Sequence, residues 1–192
     1  MSNRRALICL ADSALATAIA DRLTSDGISA TCESSVTSGS SLGETLDIVI
    51  TDIVSPEVRP FLGSEPAEWY AGVHQGLTDP FRLVRTAEPL LAAGTDARII
   101  LIAHGWASAA DAFSSAAAAT QGGGIALMKT LARDLGPTGI TVNTIAVPTG
   151  AATGAATPAG AIAATVSYLV SALAGSTTGQ ILTLGSGGEI RP

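Results

Sequence analysis

Four short runs in this chain are apolar almost from end to end: ALICL (6–10), LDIVIT (46–51), ARIILIA (97–103) and GITVNTIA (139–146). A strand with one wet face alternates apolar and polar residues, whereas a near-continuous run needs cover on both faces. That is the situation of a parallel sheet between two helical layers. Longer stretches with helical periodicity separate the runs. SALATAIADRLTSDG (13–27) closes on Gly27, a residue suited to stopping a helix. Residues 66–94 read as one long helix with a bend near Pro80, 113–135 as another, and AIAATVSYLVSALAG (161–175) as a fourth. ISATC (28–32) and GQILTLGSGG (179–188) complete the strands. The alternation predicts an α/β, Rossmann-like, doubly wound parallel sheet of about six strands, in a single domain spanning residues 1–192. The segments 34–44 and 147–160 are too rich in Gly, Ala and Ser for firm structure.

Only 14% of residues are charged and 47% are apolar, which excludes disorder and predicts much buried surface, part of it at a subunit interface. The formal net charge of −6 argues against a nucleic-acid partner, which would need a basic face. No apolar run reaches the ~18 residues of a membrane span. Arg4 and Arg5 precede an apolar stretch, as in a signal peptide, but Asp12 interrupts it and Asp21 and Arg22 continue a helical pattern. The expected compartment is therefore cytoplasmic. Cys9 and Cys32 both fall in apolar strand-like runs and read as buried free thiols.

Two phrases of the second half, LARDLGPTGITVNTIA (131–146) and TGQILTLGSGG (178–188), and one of the first, ALICLADSALATAIADRLTSDG (6–27), resemble the short-chain dehydrogenase/reductase family. Within that family DIVITDIVSPEVRPF (47–61) and EPLLAAGTDARIILIA (88–103) are similar to the halohydrin dehalogenases, relatives that gave up the nicotinamide cofactor. The resemblance implies an active site at the carboxyl ends of the central strands.

The positions that carry the family's chemistry are all different. Where the family places three glycines against the cofactor diphosphate, this chain has Leu10, Ala14 and Ala16, with Asp12 among them. A backbone approaches a diphosphate closely only when no Cβ intervenes, and a carboxylate there adds a like charge. Glu33 alone stands where an acid would hold the adenosine ribose. The resemblance puts Ala117 at the family's Tyr, Gln121 at its Lys or Arg, His104 at its Ser and Gly76 at its Asn. Hydride or proton transfer of the family's kind needs an ionisable hydroxyl beside a cation, and neither is present. The expectation is no bound dinucleotide cofactor and no metal. The outermost strand and the substrate-covering segment are expected to be missing as well, since 33–45 and 147–160 leave little chain for them.

Gly122, Gly123 and Gly124 interrupt a helix at a cost of roughly 1 kcal/mol each relative to alanine. Two uses offset that cost. In the resembling family the helices at 66–94 and 113–135 form a four-helix bundle with a second subunit, and small residues let such axes approach. The other use is a tight contact within the chain. Three functions stay open. One is a catalytically degenerate, scaffolding subunit that pairs with itself, as a dimer or tetramer, or with an active homologue. Another is a cofactor-independent isomerase, cyclase, dehydratase or epoxide- or halohydrin-type lyase. In it His104 and Asp52, at the ends of neighbouring strands, act as an acid/base pair in a hollow lined by Gln121, Thr120, Trp106 and His74. The last is a module holding a small-molecule ligand in that hollow without chemistry. Trp69 and Tyr70 are expected to pack on their helix face, and Ser114 or Ser115 would replace the family's Tyr hydroxyl only if the helix register shifted.

Overall fold

A computed structural model describes residues 4–34, 43–57, 59–104, 115–148 and 157–185. Six strands form one sheet: β1 (Arg5–Cys9), β2 (Ser29–Cys32), β3 (Ile48–Ile53), β4 (Arg98–His104), β5 (Thr141–Val147) and β6 (Ile181–Thr183). Their order is β2-β1-β3-β4-β5-β6, and every pair is parallel. Four helices cover it: α1 (Ser13–Ser25), α2 (Pro66–Ala93), α3 (Ser115–Leu135) and α4 (Ala159–Val170). This is the expected doubly wound Rossmann-like architecture, and among the described residues β2 is an edge of the sheet. None of the described helices is long and apolar enough to cross a membrane.

Strand alternation divides the core. Ala6, Ile8, Ile48, Ile50, Ile100, Ile102 and Ile145 face α1 and α4, where Ile19, Leu23, Val166 and Leu169 meet them. Leu7, Val49, Ile53, Ile99, Leu101 and Val142 face α2 and α3, meeting Leu83, Val84, Leu91 and Met128. Strands β3, β4 and β5 are covered on both faces, which is why their sequences do not alternate. On β2 the pattern is exposed, intermediate, exposed, exposed. Cys32 is accordingly exposed and Cys9 half-buried, both free thiols, so the expected burial fails at Cys32, on the edge strand, and holds in part at Cys9 on β1.

Helix ends follow local chemistry. The carboxylate of Asp12 caps α1 by accepting from the amides of Ala14 and Leu15. Two residues after α1 ends at Ser25, Gly27 takes φ +80°, the left-handed stop its sequence promised. Helix α2 runs on through Pro80 and Pro89. Helix α4 stops at Val170, earlier than the periodicity suggested, because Ser171 turns extended at ψ 162°; a 3-10 turn, Ala172–Ala174, follows. Among the described residues of the expected 179–188, strand β6 takes Ile181–Thr183, and 186–188 lie outside them. Much of 33–45 and 147–160, on which the expected absence of an outer strand and a substrate-covering segment rests, lies outside the described residues.

The glycine stretch of α3 is explained largely within the chain. A Cβ on Gly124 would run into Ile53 Cδ1, and Ile53 Cγ1 and Cγ2 would both lie 3.1 Å away. One on Gly123 would come to 2.8 Å from Leu77 Cδ1 of α2. Gly122 meets nothing within 4 Å, so only this third glycine is left without an intramolecular reason. Gly76 of α2 serves the same crossing, since its Cβ would sit 2.5 Å from the Val54 carbonyl oxygen and 2.6 Å from Thr120 Cγ2. Missing side chains let α2, α3 and the end of β3 approach closely.

Candidate functional site

After β1 the chain moves outward to β2, then returns to the other side of β1 as β3. Strand order reverses between β1 and β3, and in such sheets the crevice outside that reversal is where ligands bind. A cleft of about 690 Å³ lies there. Its floor is the carboxyl ends of β1 and β3, including Cys9, Leu10, Thr51 and Asp52. Helix α2 supplies a wall through Gly76, Asp79, Pro80 and Leu83, which fall on one helical face.

The turn from β1 into α1 borders this cleft, and the chain's own carboxylates take up its amides. Asp12 Oδ1 accepts from the amides of Ala14 at 2.9 Å and Leu15 at 3.1 Å. Asp52 Oδ2 accepts from the Ala11 amide at 2.9 Å. A helix N-terminus binds phosphate through such free amides and its positive dipole end. Here two negative groups already sit on them, Leu10 and Ala16 carry buried side chains, and Ala14 stands at the helix start. A dinucleotide diphosphate does not fit this turn. Glu33 is an exposed residue just past β2, its amide bonded to the Ile8 carbonyl.

Asp52 and His104 lie on the same face of neighbouring strands. Asp52 is in register with Ile102, and His104 follows two residues later at the end of β4. Among the described residues no hydrogen bond or ion pair joins them, and Asp52 spends one oxygen on Ala11. Burial pushes the Asp52 carboxyl above its ordinary value, against the Ala11 amide and His104. Burial also pushes His104 below the ordinary imidazole value, against the attraction of Asp52 and Asp12. Desolvation thus favours the neutral form of both groups, the opposite of a mutually stabilised ion pair.

Gln121 is buried and used for packing. Its Nε2 donates to Ser55 Oγ at 2.6 Å and to the Ile53 carbonyl at 3.2 Å, and Ser55 Oγ donates to the His104 carbonyl at 3.3 Å. The side chain standing at the family's cation therefore straps α3 to the ends of β3 and β4. Ala117 is half-buried on α3, one turn before it. Thr120 is buried and turns its hydroxyl back to the Ala116 carbonyl. His74 is exposed on α2 beside Thr78, away from the hollow it was expected to line. Trp106 and Ser114 lie outside the described residues. Trp69 does pack, its Nε1 donating to Ser115 Oγ at 3.1 Å across α2 and α3, whereas Tyr70 is 68% exposed and only sets its ring edge-on to that of Trp69, centroids 5.4 Å apart. Of the expected site, the cleft lining includes Asp52 and Gly76. Sequence reasoning missed Cys9, Thr51 and Asp79. The first two carried a faint signal, as the last inward-facing residues of apolar strands, Cys9 in register with Thr51.

The comparisons agree with this architecture. Residues 27–161 match the family model described as enoyl-(acyl carrier protein) reductase. No curated protein matches the chain. Among solved structures it is similar to an oxidoreductase of the short-chain dehydrogenase/reductase family from Burkholderia thailandensis. Identity is 16% and the TM-score 0.80, over 97% of this chain and 93% of that one. It is also similar to YwfH, an NADPH-dependent reductase involved in bacilysin biosynthesis, at 17% identity and TM-score 0.81, over 98% and 99% of the two chains. A dehalogenation enzyme matches at 18% identity and TM-score 0.74, over 97% and 98%. At these identities the solved structures share the fold and do not separate a dehalogenase branch from the reductases. By the family model that covers most of its length, and by the sheet order that accompanies it, this chain belongs to the short-chain dehydrogenase/reductase family.

Proposed function

We propose that this chain has left the hydride-transfer chemistry of its family and serves as a scaffolding subunit. It pairs with a second copy or with an active relative through the helices at 66–94 and 113–135. The single observation that carries the reading is the β1–α1 turn. Its amides are occupied by Asp12 and Asp52, in a family whose cofactor needs them free. Ala117 and Gln121 support it, because neither supplies a proton or a cation, and Gln121 is committed to Ser55 and Ile53. Pairing is supported by what remains uncovered on the two helices. Tyr70 and Phe81 of α2 stand three turns apart on one exposed stripe, and Gly122 of α3 has open space around it.

The test joins two measurements on the purified chain. Titration with NADH and NADPH, followed by nicotinamide fluorescence, is expected to show no saturable binding. Light scattering after size exclusion is expected to give a multiple of the 19.1 kDa chain mass, which Gly122→Arg reduces. Stoichiometric NADH binding sinks the non-reductase part. A mass of one chain, together with failure to co-purify with a full-length relative, sinks the subunit part. The second reading, a cofactor-independent enzyme using His104 and Asp52, is favoured by their shared face and mutual attraction. It is disfavoured by desolvation of both groups.

A further inference from the structure

The amino ends of the strands, at the other end of the sheet from the β1/β3 cleft, bury an arginine. Arg98 opens β4 and is 2% exposed. It is in register with Ile48 on one side and Thr141 on the other, so the three side chains share the face that α4 covers. Arg98 Nη1 donates to the Ala97 carbonyl at 3.1 Å and Nη2 to Asp96 Oδ1, while Nε meets no acceptor among the described residues. Thr141, 7% exposed beside it, has a hydroxyl without a partner among them, and so has the buried Nε of Arg4. Buried polar groups in native proteins are normally satisfied, so three spare donors at one end of one sheet need an acceptor.

The surrounding acceptors are already in use, mostly by the same residues. The Ala97 carbonyl takes both Arg98 Nη1 and the Thr141 amide, each at 3.1 Å. The Val170 and Asp96 carbonyls take the two Nη groups of Arg4. Asp96 shares its carboxylate between Arg98 and Arg4, and Asp47 spends its oxygens on the amides of Arg5 and Thr95. A water molecule would bring two hydrogens of its own into this setting, whereas an anion only accepts. Charge points the same way, since two guanidiniums converge on Asp96. Burial holds Arg4 below the ordinary guanidinium value against the attraction of Asp96, and the like charge of Arg98 adds to it. Neighbouring strands run ~5 Å apart, so groups on β4 and β5 reach the same monatomic ion without a larger cavity.

We propose that Arg98 and Thr141, with the guanidinium of Arg4 beside them, hold one small inorganic anion of chloride size next to the end of α4. The proposal goes beyond the subunit reading, since neither the β1–α1 turn nor pairing enters it.

The experiment uses the full chain. Urea unfolding is followed at a constant ionic strength of ~0.2 M while sodium methanesulfonate, whose anion is too bulky for the site, is exchanged for sodium chloride or bromide. The midpoint is expected to rise with either halide and then level off, as one site filled only in the folded state requires. Thr141→Val keeps the side-chain shape and removes the hydroxyl, so it should raise the half-saturating halide concentration about tenfold. Crystals of the parent chain grown in bromide should show an anomalous peak within hydrogen-bond reach of Arg98 Nε and Thr141 Oγ1, a readout independent of whether the variant folds. Midpoints that are the same in all three salts overturn the proposal. So does a rise that never levels off and that Thr141→Val leaves unchanged, which is a general salt effect. A water oxygen at that position without anomalous signal, or bromide peaks only elsewhere, overturns it as well.

Discussion

Three adjacent glycines in α3 meet three different environments, and alanine substitution separates them. At each position alanine gains ~1 kcal/mol of helix propensity over glycine. Around Gly122 there is nothing within 4 Å, so Gly122→Ala keeps that gain. At Gly124 the new methyl collides with Ile53, a fully buried, β-branched residue on a strand covered from both faces. Ile53 has little rotamer freedom to yield, and overpacking a tight core costs ~1–3 kcal/mol. Gly124→Ala should therefore end between equal to the parent and ~2 kcal/mol less stable, a spread of ~1–3 kcal/mol between two residues of one helix turn. In a domain of this size each kcal/mol moves the melting temperature by ~2–4 °C. The two variants should thus differ by roughly 2–12 °C in thermal melts followed by far-UV circular dichroism. Gly123→Ala should fall between them, because the Leu77 tip it meets is the end of a flexible, half-buried side chain. Melts at two protein concentrations separate these effects from subunit association. If Gly124→Ala melts at or above Gly122→Ala, the packing account of this helix is wrong.

Other expectations rest on separate groups. Asp12→Ala removes the α1 cap and should cost ~1 kcal/mol in urea denaturation; an unchanged midpoint would show that the cap contributes nothing. Thiol labelling with a disulfide reagent at mildly alkaline pH should modify exposed Cys32 first, and Cys9, half-buried and raised to about 11, far more slowly. Equal rates resolved by mass spectrometry would contradict the burial of Cys9. His104 has its folded value lowered, so between that value and the unfolded one of ~6.5 the unfolded chain binds more protons and stability rises with pH. Urea midpoints should accordingly fall as pH drops below ~6.5, and His104→Asn should flatten that part of the profile.

Most strands and helices were legible because each is encoded locally. Near-continuous apolar runs such as ARIILIA state that both faces are covered, and the helical periods between them leave a parallel sheet as the economical arrangement. Gly27 was legible as a helix stop for the same local reason. The edge was harder to read. Cys32 sits at an apolar position of the alternating run ISATC, which promised it one covered face, and its exposure depends on what lies over β2, a matter of chain elsewhere. The candidate pair showed a similar limit. Adjacent strand ends put Asp52 and His104 on one face as expected, but among the described residues no hydrogen bond joins them, and Asp52 accepts from the Ala11 amide instead.

By itself, then, the sequence determined the fold class and the strand count, since these rest on residue identity and short-range period. Only the tertiary structure decided where Gln121 and Asp12 spend their hydrogen bonds, which glycines carry the α2–α3 crossing, and that Thr51 and Asp79 share a cleft. Those facts depend on distances between segments far apart in the chain, and no local pattern records them.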